Sequence, residues 1–286
     1  MTVPLWARGL AAVDRAAWYA YRAQEVVRDE LLRAFLTAKQ REEMTTLAYE
    51  KQTTYLPGGE RFETGLFPWE AAVLDDPAFP RGGRVLLTAA GGGRELAALL
   101  ERGWDVVAFE PNDVLRAGCE AVARSHPRSR VLAGTYADMI RAATTGGGPL
   151  DALRSLGPFD ATILGWGSLT HVTDPDEQAA VLAAARALSP EAPLLVSFFL
   201  RKDTPRAGRA DALRRRVRSA LHRVGGQTPP EGLAYEMNGG FVYWFTDLEI
   251  HALALRAGYE VRTLSPLPFP HAVLAPMTAS GPLSAG

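Results

Sequence analysis

Apolar residues in the first fifty positions recur by threes and fours. Trp6, Leu10, Val13, Ala17, Tyr21, Val27, Leu31, Phe35 and Ala38 fall on one helical face, and only Gln24 breaks the stripe. The spacing predicts helix over 5–50, a layer packed on a core. "TTYLPGGERFETGLFPWE" (53–70) reads as a loop, broken by Pro57-Gly58-Gly59 and Pro68, and a short helix follows at 71–79. From Arg84 the pattern alternates. Short apolar runs predict strands at 84–89, 105–109, 130–133, 159–165 and 193–200, separated by helical patterns at 93–102, 113–125 and 175–188. Strands alternating with helices imply right-handed crossovers and a mostly parallel, doubly wound α/β sheet.

Helix starts are well marked. Asp174 is an expected N-cap, with Pro175 at the first helical position and Glu177 two further on; Thr246 and Glu249 repeat the pattern before "IHALALRAG". Residues 201–240 interrupt the alternation with a basic amphipathic helix, "RADALRRRVRSALHRVGG", whose Leu213, Val217, Leu221 and Val224 share a face. Strand 240–245, helix 247–257 and strand 259–264 complete the reading. The expected organisation is a helical extension at 1–67, a core from 68–200 and 240–275, a basic lid at 201–239 and a tail at 276–286.

At Gly91-Gly92-Gly93 a buried strand turns into a helix, and the next strand ends on Glu110. Glycines at such a turn let the backbone approach a ligand, and the helix start offers free N–H groups. A carboxylate about 20 residues on, at the end of the adjacent strand, can accept both hydroxyls of a ribose. The pair reads as a nucleoside site. Against a dinucleotide, the bulky Leu96 stands where the third small residue of G-x-G-x-x-G belongs.

Here the chain resembles the class I S-adenosylmethionine-dependent methyltransferases. Their first motif, V-L-acid-x-G-x-G-x-G, falls on Val85 to Gly93. Gly91 and Gly93 match, while Leu87 replaces the acid and Ala89 the first glycine. "GTYADM" offers Asp138 where the family carries an acid near the adenine. "FDATILGWGSLTHV" resembles its fourth strand and following histidine, here His171. "LSPEAPLLVSFF" keeps Leu188 and Pro190 of its fifth-strand motif. Phe241–Phe245, Thr246–Ile250 and Ala257–Val261 match its C-terminal pattern.

The resemblance spans about residues 68–265. It implies a Rossmann-like seven-stranded sheet with the last strand antiparallel, and methyl transfer from S-adenosylmethionine to a small molecule, oxygen being the first choice of acceptor and nitrogen or carbon the others. The alternatives are a nicotinamide oxidoreductase and a cofactor-binding relic without transfer chemistry. Tyr55, Arg61, Ala89, Gly91, Gly93, Glu110, Pro111, Asp138, Met139, Gly165 and Trp166 are the expected cofactor contacts, with Arg61 placed to take the methionine carboxylate. Ser168, Tyr243 and Trp244 are the expected substrate contacts, and His171 the acid/base candidate.

Plainer readings stand beside these. Asp138 is also a helix cap, His171 a loop brace, and the aromatics core filling. The arginines of 206–223 either meet an acidic substrate or sit solvated or salt-bridged. Asp174, Asp176 and Glu177 read as capping residues, not metal ligands. A net charge of −1 gives no pull toward nucleic acid or anionic membrane. The single cysteine, Cys119, permits no intrachain disulfide, and a reducing cytoplasmic setting is expected. No signal peptide or membrane span is expected, and the protein is read as a monomer or homodimer.

Overall fold

The computed structural model describes residues 3–201 and 209–277. The expected tail beyond Met277 and residues 202–208 of the expected lid lie outside them. The long N-terminal stripe folds as two helices, α1 (Leu5–Phe35) and α2 (Ala38–Glu50). Leu36 leaves helical geometry at φ −81°, ψ 135°. Thr37 then starts α2 with a capping box: its hydroxyl accepts from Gln40 N, and its own N–H donates to Gln40 Oε1 at 2.9 Å. A one-turn helix α3 (Glu60–Glu63) and α4 (Pro68–Asp75) lead into the sheet.

The alternating region follows in chain order: β1 (Arg84–Thr88), α5 (Arg94–Glu101), β2 (Asp105–Glu110), α6 (Asp113–Ala123), β3 (Arg130–Ala133), α7 (Tyr136–Ala143), the short α8 (Leu153–Leu156), β4 (Ala161–Leu164), α9 (Pro175–Leu188) and β5 (Leu194–Ser197). Next come β6 (Phe199–Leu200), α10 (Arg209–Arg223), β7 (Leu233–Glu236), β8 (Gly240–Phe245), α11 (Asp247–Arg256), β9 (Tyr259–Ser265) and β10 (His271–Pro276). The seven-stranded sheet has the order β3-β2-β1-β4-β5-β10-β9. β1 to β5 run parallel, and the last strand, β10, is antiparallel to both neighbours.

Each strand feeds two cores, because successive side chains point to opposite faces. In β1, Leu86 joins the layer with Phe109, Met139, Leu182 and Leu253. Val85 and Leu87 join the opposite layer with Leu96, Leu99, Trp104 and Cys119. Burial on both faces explains why these strands are almost wholly apolar.

One expectation is corrected. Strand 240–245 forms, but it is the centre of a separate sheet, β6-β8-β7, parallel to β6 and antiparallel to β7. Its expected place in the main sheet belongs to 271–276, a proline-flanked run with no strand signal of its own. The basic helix packs on the N-terminal extension. α10 packs against α1, and Arg218 pairs with the buried Glu30 of α1. It is α2 that reaches the carboxyl edge of the seven-stranded sheet, where it lines the cleft, and its Thr45 Oγ1 accepts from Phe241 N of β8 at 2.9 Å. Among the described residues no helix is long and apolar enough to cross a membrane, and no cluster of His, Cys, Asp or Glu could hold a metal.

Candidate active site at the carboxyl edge of the sheet

β1 ends in a turn with three left-handed residues: Ala89 (φ 47°), Gly91 (φ 57°) and Gly93 (φ 96°). Gly93 starts α5, where a Cβ would come within 3.0 Å of Cys119 Cα. At Gly91 a Cβ would meet nothing within 4 Å, so this side of the turn lies open to a ligand. Parallel pairing of Thr88 with Phe109 sets Glu110 beside the turn. Its Oε2 accepts from Gly91 N at 2.8 Å and its Oε1 from Asn112 N at 2.9 Å. Burial pushes the carboxyl pKa up to about 7, against the two backbone donors that favour the charged form.

The turn floors a cleft of about 450 Å³, within the usual range for small-molecule sites. The ends of β1, β2 and β4 form its base, and α2 forms a wall. Tyr136 crosses the base, its hydroxyl hydrogen-bonded to Thr88 Oγ1 at 2.9 Å and Ser168 Oγ at 2.6 Å. His171 meets α2: its Nε2 lies 2.9 Å from Tyr49 Oη, and its Nδ1 lies 3.2 Å from the Phe241 carbonyl. A carbonyl only accepts, so Nδ1 carries the proton and Nε2 accepts from Tyr49. Burial lowers the His171 pKa, with the Phe241 carbonyl opposing, and burial raises that of Tyr49. The resting pair is a neutral imidazole and a neutral phenol.

A buried charge cluster backs the turn. Arg94 lies between Glu70, at 2.6 Å, and Glu95, at 2.9 Å. Glu95 Oε1 also accepts from Trp166 N at 2.8 Å, and the Arg94 guanidinium stacks over the Phe67 ring. Burial raises the Glu70 pKa, with Arg94 opposing, and both Arg94 and Glu95 line the cleft. The fully buried Leu87, in the position of the family's acid, contributes only to the core.

Of the residues singled out from sequence, Tyr55, Ala89, Gly91, Glu110, Pro111, Trp166, Ser168 and His171 line this cleft together. Gly93 supports the turn from behind. Gly165 backs it from β4, its N–H donating to the Thr88 carbonyl at 2.8 Å. The Arg61 guanidinium lies 5.9 Å from the Trp166 ring centroid. Asp138 does not line the cleft: it closes the capping box of α7 with Thr135 and pairs with Arg141. Met139 is fully buried in the core. Tyr243 turns away to donate to Glu249, and Trp244 packs on Phe199.

Sequence reasoning missed Tyr49, Glu95 and Tyr136. The T-x-x-Q box at Thr37–Gln40 was the available signal that the long helix breaks and brings Tyr49 back over the sheet.

No protein-family model matches the chain, and no curated protein matches it in sequence. Solved structures do match. A 1,6-didemethyltoxoflavin-N1-methyltransferase from Burkholderia thailandensis, with 1,6-didemethyltoxoflavin and S-adenosylhomocysteine bound, aligns with a TM-score of 0.53 and 19% identity over 83% of this chain and 90% of that one. An amino pentose methyltransferase from Micromonospora echinaspora, bound to S-adenosylmethionine, aligns at 0.50 and 19% over 76% and 94%. An S-adenosylmethionine-dependent methyltransferase from Methanosarcina mazei aligns at 0.50 and 16% over 75% and 100%. The chain has the Rossmann-like fold of the class I methyltransferases.

Proposed function

We propose that the protein transfers a methyl group from S-adenosylmethionine to a small-molecule acceptor and releases S-adenosylhomocysteine. The observation that carries this is Glu110 beside the open Gly91 turn, at the carboxyl edge of a sheet whose last strand is antiparallel. An all-parallel dinucleotide sheet, in the order 3-2-1-4-5-6, has no such strand. With Leu96 buried in the core, this favours methyl transfer over nicotinamide chemistry.

The residues present fit the cofactor. Glu110 retains lone pairs beyond its two backbone bonds and can accept ribose hydroxyls. Glu95, which lines the cleft beside Arg94, offers a carboxyl group to the methionine ammonium in place of the acid missing at Leu87. Trp166 lines the cleft, and its Nε1 is buried without a protein partner. When bound, S-adenosylmethionine supplies an electrophilic methyl carbon on a sulfonium.

The chain's remaining tasks are alignment, exclusion of water and removal of one proton. We take oxygen as the acceptor atom. As the acceptor hydroxyl attacks, its proton passes to Tyr49 Oη while the Tyr49 proton moves to His171 Nε2. The neutral imidazole is ready to receive it, and Phe241 O holds the ring in the required tautomer.

Calorimetry with S-adenosylhomocysteine and with NAD tests the cofactor, and methyl transfer to candidate hydroxyl and amine metabolites tests the acceptor. Binding of S-adenosylhomocysteine alone is expected. Binding of NAD in its place would overturn the reading.

A further inference from the structure

The face that α1 buries is not its apolar one. Val26, Glu30, Arg33 and Ala34 turn inward toward the body of the molecule. The apolar stripe faces solvent along the whole helix, with exposures of 71% at Trp6, 58% at Leu10, 64% at Val13, 39% at Val27, 41% at Leu31 and 48% at Phe35. At 1.5 Å per residue the stripe is roughly 45 Å long. Isolated apolar side chains on a surface are ordinary; a continuous row of this length marks an interaction site.

The row has the spacing of a helix–helix seam. Trp6, Val13, Ala20 and Val27 recur every seven residues. Leu10, Ala17, Gln24 and Leu31 form a second set in the same step, alternating four and three residues with the first. Gln24 is the one polar residue in the seam. Small residues at Gly9, Ala16 and Ala23 flank it and allow a second helix to approach closely.

The charges favour a second copy over a lipid surface. Between residues 3 and 27 the helix carries Arg8, Arg15 and Arg22 against Asp14 and Glu25, three cations to two anions, and none lies in the seam. Two such helices do not repel each other, whereas a helix lying on anionic lipid needs a strongly basic polar face. The surface left open along the stripe is on the order of 700 Å² per copy, near the ~800 Å² per partner of a standard interface.

We propose that two copies of this chain pair through α1 as a two-helix coiled coil. The first half of α1 makes few contacts with its own chain, and a lone helical segment of that length is marginal in water. The partner helix supplies the packing that holds it.

Sedimentation and light scattering of the full chain between about 1 and 100 µM test this. The expected mass is twice that of the chain. Leu10→Glu with Val13→Glu is expected to run at the chain mass, with the main melting transition kept. Arg15→Glu, on the opposite face, is expected to stay dimeric. Leu10→Ala, too mild to unfold an exposed helix, is expected to raise the dissociation constant at least tenfold. A wild-type chain at single mass throughout would overturn the proposal. So would a double variant that remains dimeric, or a monomeric wild type that sediments only with anionic vesicles.

Discussion

Glu110 has a structural role and, under the proposed function, a ribose-binding one, and its ionisation separates them. Because its pKa is raised in the folded chain to about 7 from 4.5, its contribution to stability is fully present below the ordinary carboxylate range. That contribution is lost as pH rises toward 7, a change on the order of 3 kcal/mol. Affinity for S-adenosylhomocysteine should move the opposite way, since the charged carboxylate is the better acceptor. It should rise from pH 6 to pH 8 with a midpoint near 7. Calorimetry across that range in wild type and Glu110→Gln checks this; a flat wild-type profile would remove Glu110 from the ribose. The variant should bind about ten- to a hundredfold more weakly. It should also leave Gly91 N or Asn112 N without an acceptor. Tyr49→Phe removes the relay between acceptor and His171 while leaving the ring, and should lower kcat by about a hundredfold with little change in cofactor affinity. In the wild type, the acid limb of the kcat profile should fall below the ordinary imidazole value of 6.5, because burial lowers the His171 pKa. Glu110 was legible because strand end and spacing are local signals. Tyr49 was not, because its approach to His171 depends on where a helix 122 residues earlier turns back.

Elements were legible where local signals were strong and displaced where two segments competed for one place. The cap at Asp174 forms, its side chain accepting from Asp176 N and Glu177 N, and Thr246 and Glu249 close the expected box. The "GFVYWF" run is a strand because its aromatic and β-branched residues suit a buried pleat. Nothing in that pattern says which sheet it joins. β10 pairs with β5 through Ala272–Leu274, so β8 is left to pair with β6 and β7. The turn after β1 holds a further element-scale expectation. Ala89 sits at φ 47°, where a side chain costs about 1–2 kcal/mol and the family's glycine costs none. Ala89→Gly gives back about 0.5–1 kcal/mol in backbone entropy. The variant should therefore be neutral or more stable by up to about 1 kcal/mol, with cofactor affinity retained. Denaturant unfolding checks this; a loss above about 1 kcal/mol would show that the Ala89 methyl is packed for a purpose the turn geometry does not explain.

At the scale of the whole molecule, two stretches far apart in sequence pack into one unit beside the sheet, and α2 carries it to the cleft. α1 and α2 come from the N-terminus; β6, α10, β7 and β8 come from the interruption after β5. They are tied by Gln227 N donating to the Ala34 carbonyl at 3.0 Å, by Arg33 donating to the Pro230 carbonyl at 3.0 Å, and by a buried ion cluster. In that cluster Glu30, 1% exposed, accepts from Arg33 at 2.9 Å and from Arg218 at 3.1 Å through both oxygens. A sequence reading of the basic segment leaves open whether its arginines face a substrate or another part of the protein. Arg218 faces Glu30, which no local pattern could pair with it across 188 residues. Burial lowers the Arg33 pKa to about 10, so this charge is held out of water and depends on its partner. Removing the carboxylate leaves two guanidinium groups facing each other in a desolvated place, and breaking such a pair costs roughly 3–5 kcal/mol. That cost should fall first on α1, α10 and β7, which join neither of the two cores that flank β1, β2 and β4, because stability is distributed in local units. In Glu30→Ala, amide hydrogen exchange should speed up in α1, α10 and β7 while β1, β2 and β4 keep their protection. Turnover should fall with that unit, since α2 carries Tyr49. S-adenosylhomocysteine should still bind the turn and Glu110, although more weakly. Equal loss of protection in that unit and the sheet would show that the two fold as one, and that the cofactor edge has no stability of its own.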